Sequence, residues 1–162
     1  MLPSKVKILK NIAASLCPFT CNSRGFDKIE VVRGLFGDET TNILATLDVE
    51  FTNETVYMRV SNLDGHLAIN PDYFLEADFI EIYLDVIHEL VHVKQFLEGK
   101  RSESEIAYVE RPLEIEAYNI TVEEAKTIGV SENEIIDYLN SELVNNEELK
   151  QLAGTLGIEY FD

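Results

Sequence analysis

Ala77-Asp78-Phe79-Ile80-Glu81-Ile82-Tyr83-Leu84-Asp85-Val86-Ile87-His88-Glu89-Leu90-Val91-His92-Val93-Lys94-Gln95-Phe96-Leu97 is the stretch whose reading decides the fold. It predicts one long helix, stopped at Glu98-Gly99-Lys100-Arg101 by a glycine. Within it His88-Glu89-Leu90-Val91-His92 has the spacing HExxH. Residues four apart share a helix face, so the two imidazoles can converge on one ion. Glu89 follows the first histidine and can reach a water at that ion. An ordinary solvated helix face would leave Ile87, Leu90, Val91 and Val93 around the pair unexplained. Two histidines and a glutamate buried among them are costly unless paired or bound to something.

Around this helix, 162 residues suit a single domain spanning 1–162, long enough to bury a core without staples. With 46% hydrophobic and 27% charged residues the composition is that of an ordinary soluble domain. No apolar run approaches the ~18 residues that cross a bilayer. Met1 to Phe19 carries Lys5, Lys7 and Lys10 but no unbroken apolar core or small-residue cleavage site, so no signal peptide is expected and the location is read as cytoplasmic.

The net charge of −17 is uneven. Lys5, Lys7, Lys10, Arg24, Lys28 and Arg33 face only Asp27 and Glu30 in residues 1–33, so the acidity lies in the rest of the chain. Such a body excludes nucleic acid and anionic membrane as partners, since phosphate binding needs a basic surface. Cys17 and Cys21 are too few for a tetrahedral metal site and read as packing thiols, with a disulfide as the second choice.

The remaining pattern predicts a first helix over Pro3–Leu16, with Val6, Leu9, Ile12, Ala13 and Leu16 on one face. Strands are expected at Ile29–Phe36, Ile43–Phe51, Thr55–Ser61 and His66–Pro71. Downstream of the motif helix, a second helix runs from about Ser104 to Ile128 with Pro112 as a restart or bend. A third opens on the capping box Ser131-Glu132-Asn133-Glu134 and reaches about Asn145, and a last covers Glu147–Leu156. Helix, strands, then helices make an α+β domain: a small, mostly antiparallel sheet packed on the N-terminal and HExxH helices, followed by C-terminal helices.

A metal site needs a third protein ligand. The extended form HExxHxxGxxH is rejected, because Gln95 stands at the glycine position and Glu98 at the last histidine. A glutamate on the next helix is the other option, from Glu103, Glu105, Glu110, Glu114 or Glu116. In Arg111-Pro112-Leu113-Glu114-Ile115-Glu116-Ala117-Tyr118, small Ala117 shares a face with Glu114 and would let the two helices approach. Glu103, Glu105, Glu123 and Glu124 read as solvated.

HExxH followed by Glu114-Ile115-Glu116-Ala117 as ExxA resembles the gluzincin metallopeptidases, of the soluble ImmA/IrrE-like and membrane HtpX types. The resemblance spans roughly residues 55–121, and the absence of spans rules out the membrane subtype. It implies a zincin-like fold holding one catalytic Zn²⁺ on His88, His92 and Glu114, with Glu89 as general base. It also implies that Leu67, Ala68 and Ile69 form the edge strand lining the cleft. Tyr118 departs from the pattern: these families often have Asp or Asn there to support a zinc-bound histidine.

The expected function is that of a zinc metalloendopeptidase acting on a peptide or protein substrate. Tyr118 and Tyr108 are the candidate oxyanion stabilisers. The alternative is a zincin-like domain that binds or senses a peptide or partner with little turnover. The intact Glu89 counts against it, since a binding module has no need of the base. His66 is read as a turn residue near the cleft.

Overall fold

In a computed structural model, residues 1–54, 56–101, 103–141 and 143–160 are described. The chain runs β1 (Lys7–Ile8), β2 (Leu16–Pro18), β3 (Ser23–Arg24), α1 (Glu30–Phe36), α2 (Thr40–Thr46), β4 (Asp48–Phe51), β5 (Met58–Val60), β6 (Leu67–Ile69), α3 (Pro71–Glu76) and α4 (Phe79–Leu97). It closes with α5 (Pro112–Thr127), α6 (Glu132–Leu139) and α7 (Asn146–Thr155). The class is α+β with a small mixed sheet, as the alternation of patterns implies.

The helix α4 forms where the apolar pattern places it. Asp78 caps it, accepting from the Glu81 N–H, and Gly99 ends it at φ +77°. Ile82, Tyr83, Leu84, Val86, Ile87, Leu90 and Val91 are all buried, so apolar residues surround the helix and it runs through the core. The helix α5 begins at Pro112, whose missing N–H costs nothing at a first turn. Ser104 to Arg111, expected as its first half, contains only a short 3-10 turn at Tyr108–Glu110. Both C-terminal helices carry full capping boxes, Ser131 with Glu134 and Asn145 with Glu148. The former stops at Leu139 rather than Asn145; within that span Glu142 lies outside the described residues.

Three expectations for the N-terminal third are corrected. Pro3–Leu16 is not a helix: Ile8 pairs with Ser23 and Leu16 with Glu50 in antiparallel ladders. Val6 and Ile8 are buried as alternating residues, while Leu16 is largely exposed. The Asn22 amide donates to the Leu9 and Asn11 carbonyls (2.7 and 2.8 Å), giving extended backbone the partners a helix would otherwise supply. The expected strand Ile29–Phe36 is instead the cap residue Ile29 followed by α1 (Glu30–Phe36), because the 3.6-residue spacing of Ile29, Val32 and Phe36 overrides the β-branched run. Likewise the first half of Ile43–Phe51 belongs to α2, with Thr40 and Leu44 on its buried face.

The main sheet has the order β2-β4-β6-β5. β4 and β6 are parallel; the other two pairings are antiparallel. Leu67–Ile69 is therefore an interior strand, hydrogen-bonded on both sides and fully buried, not the edge that sequence suggested. The edges are β2 and β5, the latter within the expected Thr55–Ser61 strand; Thr55 itself lies outside the described residues. The hydrogen-bonded register of β5 pairs Tyr57 with Asn70 and Ser61 with His66, so alternation turns the main-chain groups of Met58 and Val60 outward.

Glu124 is also not solvated; it is buried and accepts from the Tyr83 hydroxyl at 2.6 Å. Cys17 and Cys21 are free thiols. No described helix is long and apolar enough to cross a membrane. Replacing Asn22 with Ala removes both side-chain bonds to the extended N-terminal segment and leaves its backbone ladders in place. Urea unfolding should show a loss of about 1–3 kcal/mol.

Candidate metal centre

His88 and His92 project from one side of α4 toward α5, and Ala117, fully buried, keeps the facing surface of α5 small. Glu114 meets them from the first turn of α5. Its Oε2 lies 3.1 Å from His88 Nε2 and 3.2 Å from His92 Nε2, and the two nitrogens are 3.1 Å apart. Three donor atoms thus form a nearly equilateral triangle. A tetrahedral ion with bonds of about 2.0–2.1 Å separates its ligand atoms by about 3.3 Å, so the triangle fits one face of such a site. His88, Glu89 and His92 form a group that could hold a metal ion, with ligand atoms within 4.8 Å of one another. Glu114 is the closer carboxylate to both rings, and Glu89 stands off from the triangle.

The tautomers fit too. His92 Nδ1 lies 2.7 Å from the Gln95 amide oxygen, which can only accept. That bond fixes the proton on Nδ1 and leaves Nε2 with a lone pair facing the triangle. Gln95 in turn donates to the Leu113 carbonyl and to Glu116 Oε1, each at 3.0 Å. One buried amide therefore ties His92 to the helix that supplies Glu114. His88 has no such support: its Nδ1 is buried without a hydrogen-bond partner among the described residues. The Tyr118 ring packs beside it instead, centroids 4.5 Å apart. The departure at position 118 thus has a physical counterpart.

Two lone-pair nitrogens and a carboxylate oxygen at this spacing repel unless a cation joins them. Without a metal that cation is a proton. Burial opposes charge on His92, but Glu114 overcomes this and raises the imidazole to about 9. Burial lowers His88. It also opposes ionisation of Glu114, yet the two histidines hold that carboxyl well below the usual range. Burial pushes Glu89 up to about 8, poised for proton transfer near neutral pH.

A cavity of about 180 Å³ opens beside the triangle. His88 and Glu89 form part of its wall, together with Met58 and Tyr57 at the sheet edge, Tyr108 and Tyr118. The two candidate tyrosines are in mutual contact, hydroxyl to hydroxyl at 3.0 Å, so when one donates to the other the acceptor's own proton is free to point into the cavity. Burial raises both phenols well above their ordinary value, so they stay protonated as donors. His66 sits apart, against Asp64 and Glu50 in the β5–β6 turn, and Leu67–Ile69 does not line the cavity.

Sequence reasoning missed Gln95, Asp85 and Tyr138. Asp85 lines the cavity one turn before Glu89, and its signal was a lone acid in the apolar run Ile82–Ile87. Gln95 at three residues after His92 was read only as a missing glycine.

No protein-family model matches the chain, and no curated protein or solved structure does either. The functional reading therefore rests on this geometry.

Replacing Gln95 with Ala frees His92 to turn and should weaken divalent-metal affinity about 10–100-fold, measured by competition with a chromophoric chelator. Metal binding must displace the proton on His92. Affinity should fall as pH drops below about 9, with proton release on metal binding read by calorimetry in buffers of different ionisation enthalpy.

Proposed function

We propose that the protein is a zinc-dependent metallopeptidase with a zincin-like arrangement, hydrolysing peptide bonds of a peptide or protein substrate. The observation that carries this reading is the triangle of His88, His92 and Glu114, with Glu89 set back from it and facing the same cavity. Two imidazoles and a carboxylate on a closed triangle, with an open cavity on one side, suit a catalytic zinc site rather than a structural one. Bound there, zinc supplies a Lewis acid that polarises the scissile carbonyl and lowers the pKa of water.

Glu89 accepts a proton from the attacking water as its oxygen bonds to the carbonyl carbon. It returns that proton to the amine nitrogen as the C–N bond breaks, so the carboxylate is regenerated. Burial raises the proton affinity of Glu89, which makes its ionised carboxylate the stronger base for this exchange. A phenol from the Tyr108–Tyr118 pair donates to the oxygen on which negative charge develops. The outward main-chain groups of Met58 and Val60 offer an extended substrate a strand to pair with, beside the cavity. The substrate-facing strand is thus β5, in place of the Leu67–Ile69 strand implied by the resemblance.

Two measurements separate the parts of this reading. The purified chain should bind one zinc, lost on His88→Ala or His92→Ala. The Glu89→Gln variant should keep its zinc while peptide hydrolysis falls by about 10²–10⁴; turnover unchanged in that variant would refute the assigned base. Tyr118→Phe and Tyr108→Phe tested singly should show which hydroxyl serves the oxyanion, through a drop in kcat of about 10²–10³ with KM little changed.

A further inference from the structure

Asp85 is not used by the chemistry above, yet it borders the cavity that His88 and Glu89 open onto. It also borders a neighbouring groove of about 730 Å³, which shares Tyr57, Asp85, Tyr138 and Ser141 with the first. Asp85 lies four residues before Glu89 on the same helix, about 6 Å along the axis.

Each oxygen of Asp85 accepts one phenol: Oδ2 from Tyr73 and Oδ1 from Tyr138, the latter at 2.9 Å. A carboxylate has about four acceptor sites, so two remain for a donor arriving through the cavity. No lysine or arginine lines either space, and no ion pair with Asp85 occurs among the described residues. Arg59, the cation on the edge strand, is held by both oxygens of Glu54 (2.6 and 2.8 Å). A buried carboxylate with hydrogen bonds but no countercharge is costly, and a ligand that brings the charge relieves that cost.

The walls suit a cation as well. Tyr57, Tyr108, Tyr118 and Tyr138 surround the space, and aromatic faces attract ammonium and guanidinium groups. Cavities of about 150 Å³ take a benzene ring, so 180 Å³ accommodates one long side chain but not a folded substrate. An apolar side chain would fit the walls while driving water from Asp85 and leaving its charge unanswered.

We propose that this cavity selects a lysine or arginine side chain adjoining the scissile bond, with Asp85 in its wall as the recognising carboxylate. The inference rests on the hydrolase reading and names its substrate class: peptides basic at one position beside the cleaved bond.

The test uses the zinc-loaded full chain with a peptide library varied at every position, cleavage sites being read by mass spectrometry. Lysine and arginine should dominate one position flanking the cut. A matched pair differing only as lysine against norleucine should differ about tenfold or more in kcat/KM. In Asp85→Asn that ratio should collapse toward one, and in Asp85→Glu it should survive. The same lysine-over-norleucine preference should appear as equilibrium affinity in the Glu89→Gln variant, without turnover. Cleavage with no basic preference, or a ratio unchanged in Asp85→Asn, overturns the inference and leaves the hydrolase reading standing. No cleavage anywhere in the library with zinc bound overturns both. Should Asp85→Asn not fold, the lysine and norleucine pair on the unmodified protein still decides.

Discussion

Everything at the site follows from three electron-pair donors being held closer together than they would choose to be. His88, His92 and Glu114 approach within about 3.2 Å because α4 and α5 are pressed side by side over Ala117. Neither helix can relax away, since the buried faces of both are committed to the core. The packing therefore holds the donors where a cation, a proton on His92 or a metal ion, is needed to join them. Gln95 stiffens the arrangement from behind by bonding His92, the Leu113 carbonyl and Glu116 at once. The energetic logic is that of a preformed site: folding free energy holds the three donors together, and a metal ion bound there would recover part of it.

The legible parts of the sequence were those decided within one or two helical turns. The motif helix, the face shared by Glu114 and Ala117, and the capping box at Ser131 all depend on local spacing. What escaped was decided by distant partners. The extended segment before Leu16 looks helical until Asn22 and the Ser23 strand are brought beside it. Ile29–Phe36 is rich in β-branched residues, and only its packing against α4 shows which periodicity prevails. Strand order was equally hidden: nothing in Leu67-Ala68-Ile69 says that it will be covered on both sides. Asp85 and Gln95 were passed over because a single polar residue in a helix has no local signature of its partner.

The site also shows how a departure from a familiar pattern can be absorbed. Where a carboxylate beside His88 would fix its tautomer, Tyr118 offers a ring face and a hydroxyl shared with Tyr108. The imidazole is positioned by packing rather than by a hydrogen bond, and the aromatic residue becomes part of the cavity wall. Orientation by packing is less directional than orientation by a hydrogen bond. The burden of fixing ligand geometry then falls more heavily on His92 and Gln95.

The route of the chain through the sheet has a consequence for how the cleft is assembled. β6 is inserted between β4 and β5, so the strand at the rim is joined to its neighbour by a short hairpin and pairs with the sheet only through that neighbour. The turn depends on Gly65, whose φ of +80° and contact with the Phe96 ring leave no room for a side chain. Phe96 belongs to the last turn of α4, four residues beyond His92. The hairpin tip is thus seated on the same helix that carries the histidines, and the strand facing the cavity and the ligands behind it share one rigid mount. Closing that hairpin costs little chain entropy, so the rim can form early and locally, while the ligand triangle must wait for α5 to arrive from further along the chain.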